Sequence, residues 1–198
     1  MRAIVLTLIL SATAAWAAAA EYVVAPGGES HVVFESKAPM ESFEGRTDQV
    51  RGSAVFDPLD LAGGFTAVLT VDAGSFDTGI GLRNTHMREN HLHTDRFPTA
   101  AFRLTSVTSA RPTRLAPGGA VELDVAGELE LHGVTRPLSA GVTLRQRDDG
   151  AVIAETEFPV SLAAHDIPRP KFLMLKLADE QLVRVMIVAH PRGGETSR

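Results

Sequence analysis

Val121-Glu122-Leu123-Asp124-Val125-Ala126-Gly127-Glu128-Leu129-Glu130-Leu131 alternates without a break. Val121, Leu123, Val125, Gly127, Leu129 and Leu131 share one face; Glu122, Asp124, Ala126, Glu128 and Glu130 share the other. A period of two belongs to an extended strand with one buried and one wet face. Strands of a helix-covered parallel sheet are apolar on both faces, so this pattern predicts an antiparallel sheet or barrel wall. His132-Gly133 interrupts the alternation, and Val134, Leu138, Val142 and Leu144 resume it, which predicts a hairpin turning at Gly133.

Working outward, the same habit appears at His31 to Ser36, Val50 to Phe56, Phe65 to Val71, Phe102 to Val107, Val152 to Leu162 and Leu182 to Ala189. Turn clusters at 25–29, 62–64, 111–119 and 148–150 separate them. About eight strands in this arrangement fit an all-β, antiparallel closed barrel or a sandwich. The last strand is apolar on both sides, with Val183, Val185 and Ile187 on one and Leu182, Met186 and Val188 on the other. Such a strand needs cover outside as well as inside, from a second copy of the chain in a homodimer or from a helix. One segment breaks the strand habit. Ile80 to His91 suits a short helix capped by Asp77 or Thr78, and its narrow apolar stripe places it across the mouth of the sheet.

The chain has 198 residues, 44% of them hydrophobic, no cysteine and a formal charge of −5. That length builds a sizeable single core. The acidic balance speaks against nucleic acid, whose phosphates need a basic patch. Without cysteine there is no disulfide framework, thiol nucleophile or thiolate metal site. Met1-Arg2, the apolar run Ala3 to Leu10 and the Ala-rich end make residues 1–20 a secretory signal peptide by pattern. Ala15-Trp16-Ala17 and Ala18-Ala19-Ala20 both suit cleavage, the second being preferred. This leaves a domain over 21–190 and a polar tail over 191–198, with no span remaining and a periplasmic or secreted location expected.

Catalytic signals are weak: no G-x-S-x-G, no H-E-x-x-H and no Gly-rich phosphate loop is present. No enzyme activity and no cofactor are expected. His86, His91 and His93 form the one histidine cluster and carry the alternative reading, a metal-binding or redox accessory protein. His86 and His91, five apart, fall on different sides of a helix, so no metal site is assigned. The pattern alone favours a side-chain-filled interior over a ligand cavity, since small barrels are often filled.

Ser75-Phe76-Asp77-Thr78-Gly79, Arg83-Asn84-Thr85-His86-Met87-Arg88 and Arg96-Phe97-Pro98-Thr99-Ala100-Ala101-Phe102 resemble the YceI-like family of exported bacterial proteins, as does Gly127 to Leu138. The resemblance covers nearly the whole domain. It implies a lipocalin-like barrel with one short helix near the mouth, binding an isoprenoid, fatty acid or fatty amide without transforming it. The lumen candidates are then Phe34, Leu69, Val71, Phe102, Leu104, Leu123, Val125, Leu129, Val183 and Val185. Arg83, His86 and Arg88 are carried over by position as candidates for the ligand's polar end; their other role is to pin the helix to the rim. Two stretches depart from the family pattern. Glu89-Asn90-His91-Leu92-His93 makes a more polar mouth, and His165 to Lys171 leads into the apolar Phe172-Leu173-Met174-Leu175, a lid, a dimer contact or a further strand.

N-terminal sequencing of exported material is expected to begin at Glu21 or within three residues of it. An intact Met1 would contradict the signal peptide.

Overall fold

The structure, a computed structural model, describes residues 19–37, 42–172 and 175–193. Its strands in chain order are β1 (Ala20–Val24), β2 (His31–Lys37), β3 (Ser42–Thr47), β4 (Val50–Phe56), β5 (Thr66–Asp72), β6 (Thr99–Arg111), β7 (Ala120–Leu131), β8 (Val134–Gln146), β9 (Val152–Ser161), β10 (Lys171–Phe172), β11 (Leu175–Lys176) and β12 (Glu180–Pro191). All but β10 and β11, which pair with each other, join one antiparallel sheet in the order β1-β4-β5-β6-β7-β8-β9-β12-β2-β3.

The sheet closes because β12 is bonded along both edges. One edge takes β9 from Glu180 to Ala189; the other takes β2 from Leu182 to Met186 and then β1 at His190 and Pro191. β1 and β2 thus follow each other along one edge of β12, and β3 and β4 follow each other beside them. The result is an eight-strand closed barrel in which two wall positions are each built from two short strands. Closure removes the unpaired edges that would otherwise invite pairing with another chain.

The alternating segment is β7, with Val121, Leu123 and Val125 buried and the acidic positions Glu122, Asp124 and Glu128 exposed. His132 and Gly133 link it to β8 with φ of 54° and 74°. Positive φ at both central residues matches the twist of the flanking strands, which is what a two-residue hairpin requires. β6 runs Phe102, Leu104, Val107, Ala110, a spacing that breaks the period of two. Register shifts between Leu104 and Ser106 and between Val107 and Ser109 account for it. Each bulge adds one residue, so the inward phase is kept although the spacing changes.

Two strands have no apolar alternation to announce them. β3 places Phe43, Gly45 and Thr47 inward, with Gly45 and Thr47 buried. β1 begins at Ala20, which pairs with Phe56, one residue before the expected domain boundary; at the other end β12 reaches Pro191. Val188 is buried where Ser30 closes on it: Ser30 Oγ donates to the Val188 carbonyl (3.3 Å) and Val188 N–H lies 2.9 Å from Ser30 Oγ. Leu182 and Met186 are half-buried. The short β10–β11 hairpin occupies the stretch expected as lid, contact or strand; Leu173 and Met174 lie outside the described residues, as do residues 1–18 and 194–198. No helix among the described residues is long and apolar enough to cross a membrane.

One end of the barrel is plugged. Tyr22 stacks on Phe56 (4.6 Å between ring centres) and Phe56 on Phe65 (4.4 Å), beside fully buried Leu61 and Leu115. The loops bearing the two leucines tie across the end, Leu61 N–H donating to the Thr113 carbonyl and Leu115 N–H to that of Pro58. The other end carries the helix α1 (Gly81–His86), which continues as a π-helical turn over Met87–His91. The residue capping α1 is Ile80, with no side-chain cap, instead of Asp77 or Thr78. Those two side chains are turned to Asn84 instead, as described below.

Gly127 stands where a Cβ would lie 2.5 Å from the Phe102 ring and 2.6 Å from the Arg103 carbonyl oxygen. The backbone oxygen has no room to retreat, so Gly127→Val is expected to destabilise by roughly 1–3 kcal/mol through overpacking. Gly141, on the adjacent β8, has nothing within 4 Å of such a Cβ. Gly141→Ala is therefore expected to change stability by no more than about 0.5 kcal/mol. Urea unfolding of the two variants checks the pair.

Candidate functional site

The barrel interior is open. A cavity of about 940 Å³ extends from the plugged end to the helix. Packed interiors leave few voids larger than a water, and this volume is that of on the order of thirty waters. All ten lumen candidates line it: Phe34, Leu69, Val71, Phe102, Leu104, Leu123, Val125, Leu129, Val183 and Val185. The filled interior favoured by pattern alone is thereby replaced by a cavity.

Side-chain volume explains the space. Inward positions at Ala67, Ala100, Ala140 and Ala154 hold single methyl groups. Two of the large rings in the wall, Phe34 and Phe102, occupy the places that Cβ atoms would take on Gly45 and Gly127 of the neighbouring strands. Each ring lies over a glycine and so intrudes less on the lumen. The remaining wall is apolar, aliphatic with Phe43, Phe65, Phe76 and Phe158, apart from Ser36, Thr156 and Gln181, and no carboxylate is among the described lining residues.

The mouth is framed by Ile80, Leu82, Arg83, His86, Met87, His91 and Leu92 on one side and by Ile167, Pro170 and Leu177 on the other. Ile80 and Leu82 are large apolar residues left 51% and 67% exposed. A compact polar network fixes this segment. Asn84, buried, accepts at Oδ1 from Thr78 N–H (2.9 Å) and Thr78 Oγ1 (2.6 Å), and donates from Nδ2 to Asp77 Oδ1 (2.7 Å). Asp77 Oδ1 also accepts from Gly79 N–H at 2.8 Å. The Asn84 amide, with the Gly79 N–H, holds the Asp77 carboxyl below the usual carboxylate range. Asp77 is in turn tied to Arg46 of β3 by two backbone hydrogen bonds of 2.9 Å.

Arg83 lines the cavity and pins the helix at once. Its Nε donates to Thr78 Oγ1 (2.9 Å) and its Nη2 to the Thr78 carbonyl (2.7 Å), while the guanidinium lies 4.2 Å from the centre of the Phe43 ring. His86 stands exposed at the rim. Arg88 does not line the cavity: it is half-buried on the side of Asp77, whose charge it favours. Helical geometry separates it from His86 and turns it away from the lumen. Asn84, not among the candidates, is the centre of the network. Its only trace in the sequence is its place between Arg83 and His86.

The histidines do not gather as a cluster. His91 Nδ1 donates to the Pro168 carbonyl at 2.8 Å, and burial pushes its pKa down. His93 pairs instead with His132 of the β7–β8 turn, Nδ1 to Nε2 at 2.8 Å. His132 Nδ1 faces the His165 carbonyl (3.1 Å), which can only accept, so Nδ1 carries the proton and the neutral ring's Nε2 accepts from His93. His165, buried, donates from Nδ1 to the Val134 carbonyl at 3.0 Å. Phe97 packs on His132 with ring centres 4.5 Å apart. This chain sews the segment after the helix to the hairpin turn and to the 163–165 turn. Among the described residues no three metal-ligating side chains are grouped, and the assembly of His86, His91 and His93 does not occur. His132 and His165 give no sign of this role in the sequence, being 33 residues apart.

Known proteins resemble both the sequence and the fold. A UPF0312 protein of Vibrio cholerae is 29% identical over 123 residues, which are 61% of this chain and 60% of that protein. The chain thus spans less than two thirds of the length of that relative. Among solved structures, Burkholderia cenocepacia BcnA superposes with a TM-score of 0.68 at 22% identity, covering 81% of this chain and 96% of the other. A polyisoprenoid binding domain from Saccharophagus degradans, implicated in plant cell wall breakdown, gives 0.67 at 18% identity over 87% and 99%. At such identities the likeness is one of fold. The family match is direct and runs from residue 22 to 189, nearly the whole barrel: the chain belongs to the family of YceI-like domains.

Proposed function

We propose that this protein binds a lipophilic or amphiphilic chain of isoprenoid or fatty type in the barrel lumen, without transforming it, as a carrier or scavenger in the cell envelope. The observation that carries the reading is the open apolar cavity of about 940 Å³, at the upper end of the roughly 300–1,000 Å³ usual for ligand sites. Water in such a space gains little from aliphatic walls, whereas an apolar chain gains about 0.8 kcal/mol per buried methylene. About ten methylenes supply roughly 8 kcal/mol gross, and lost ligand freedom offsets part of it. Micromolar affinity is in reach of a long chain. The exposed Ile80 and Leu82 beside the mouth give such a chain an apolar edge to cross on entry. The Saccharophagus domain, described as polyisoprenoid binding, is a relative in fold whose ligand class agrees. The signal-like residues 1–20 support export to the envelope.

Mass spectrometry of an organic extract of the purified protein is expected to find a long-chain lipophile. Val125, on the buried face of β7, tests the site itself. Val125→Trp is expected to narrow the lumen and block capture of a long chain while the melting temperature of the delipidated protein is kept, because the new ring occupies existing space. In a packed core the same change would cost roughly 1–3 kcal/mol or more. A large fall in melting temperature, with no lipophile in the parent protein, would overturn the reading.

A further inference from the structure

We infer that the cavity holds a polar subsite at Ser36, beside Gln181, that takes the uncharged hydrogen-bonding end of the ligand, a hydroxyl in the simplest case. The inference rests on the proposed binding of a lipophilic chain and adds which end of that chain is recognised, and where. Ser36 lies on the inward face of β2 and lines the cavity. It is 1% exposed, and among the described residues its Oγ is the one buried side-chain polar atom without a hydrogen-bond partner. Buried hydroxyls are nearly always paired, because an unmade bond there leaves the full desolvation cost uncompensated. An inward serine with no partner in the wall is therefore short of a partner from the lumen.

The surroundings define what that partner is. Leu182 and Glu35 are register partners, so Gln181 and Ser36, the next residues on β12 and β2, stand at one level on the lumen side. Gln181 is buried, and its Nε2 donates to the carbonyls of Ala178 (2.8 Å) and Glu180 (3.3 Å). With the amide nitrogen committed, Oε1 remains as acceptor. One hydroxyl that both donates and accepts, with one amide oxygen that accepts, suits a ligand group that itself donates and accepts. A hydroxyl does both. A carboxylate would crowd against the amide oxygen, and the lining arginine, Arg83, is already bound through Nε and Nη2 to Thr78. Across from Ser36 its register partner on β3 is Phe43, and Gln181 pairs with Val160 of β9, so the subsite is a polar spot in an apolar ring. It sits toward the helix end of the lumen, since Phe43 carries the Arg83 guanidinium. The chain's apolar remainder then points down to the plug at Phe56 and Phe65.

Equilibrium dialysis of the delipidated protein with dodecan-1-ol, tridecane and dodecanoate tests this. Ser36→Ala is expected to weaken dodecan-1-ol binding about tenfold relative to tridecane, the two chains differing by a hydroxyl in place of a methyl. Ser36→Thr, which keeps the hydroxyl, is expected to retain the parent's ratio. The ligand-free melting temperature of Ser36→Ala is expected to be unchanged or raised, because the orphan is removed; a clear fall would mean that the hydroxyl is bonded within the fold and would overturn the subsite. An equal effect of Ser36→Ala on dodecan-1-ol and tridecane would overturn the subsite while leaving the apolar cavity intact. A larger loss for dodecanoate than for dodecan-1-ol would overturn the uncharged end. Failure of the parent to bind any of the three would remove the proposed function itself, and the subsite with it.

Discussion

The barrel depends on one strand being hydrogen-bonded along both edges. β12 takes β9 on one side and β2 then β1 on the other, and without the second set of bonds the sheet would lie open with two long edges. Closure sets the circumference, and the circumference sets how far opposite walls stand apart. Every other property of the interior follows from that distance, because side chains of ordinary size cannot meet across the lumen once they are too small. The plugged end shows the contrast: there Tyr22, Phe56 and Phe65 stack ring on ring and the space is filled.

The open middle is the product of what the inward positions lack. Methyl groups at four alanines and glycines beneath two phenylalanines leave wall thickness where a packed protein would have bulk. Such a void costs stability, since its lining atoms lose dispersion contacts on one side. A ligand that binds only the folded barrel restores those contacts and adds stability by mass action. Capacity to bind and stability without ligand are therefore opposed in the same residues, and Gly45 and Gly127 are where the opposition is settled sterically.

Residues that stand out as a polar motif turn out to be largely structural. Asp77, Thr78 and Asn84 form a hydrogen-bonded network, and Arg83 donates two hydrogen bonds to Thr78 that hold the helix over the mouth. The histidine chain from His93 through His132 to His165 does the same for the other rim. Both networks tie loops that no regular ladder reaches. A mouth held at two sides by side-chain bonds leaves its apolar edge, Ile80 and Leu82, as the part facing outward.

The alternation of Val121 to Leu131 and the hairpin turn at Gly133 were legible because both are local: a side chain's face depends only on its parity along the strand. The same logic puts Leu69, Val71, Leu123, Val125 and Leu129 on inner faces, and the family resemblance turned such faces into a lumen. The logic failed at β3, whose inward positions include glycine and threonine, and strict counting by two fails at Val107, which faces inward because a bulge inserts one residue after Leu104. Parity says which way a residue faces and nothing about what stands opposite. Whether the inward face meets another side chain or empty space, whether Ser36 finds a partner, and which histidines touch are settled by distances between segments far apart in the chain. The sequence by itself therefore determined the antiparallel wall and its inner face. Only the tertiary structure decided that the wall closes through β12 and encloses a cavity, because volume between walls belongs to the circumference as a whole and to no single strand.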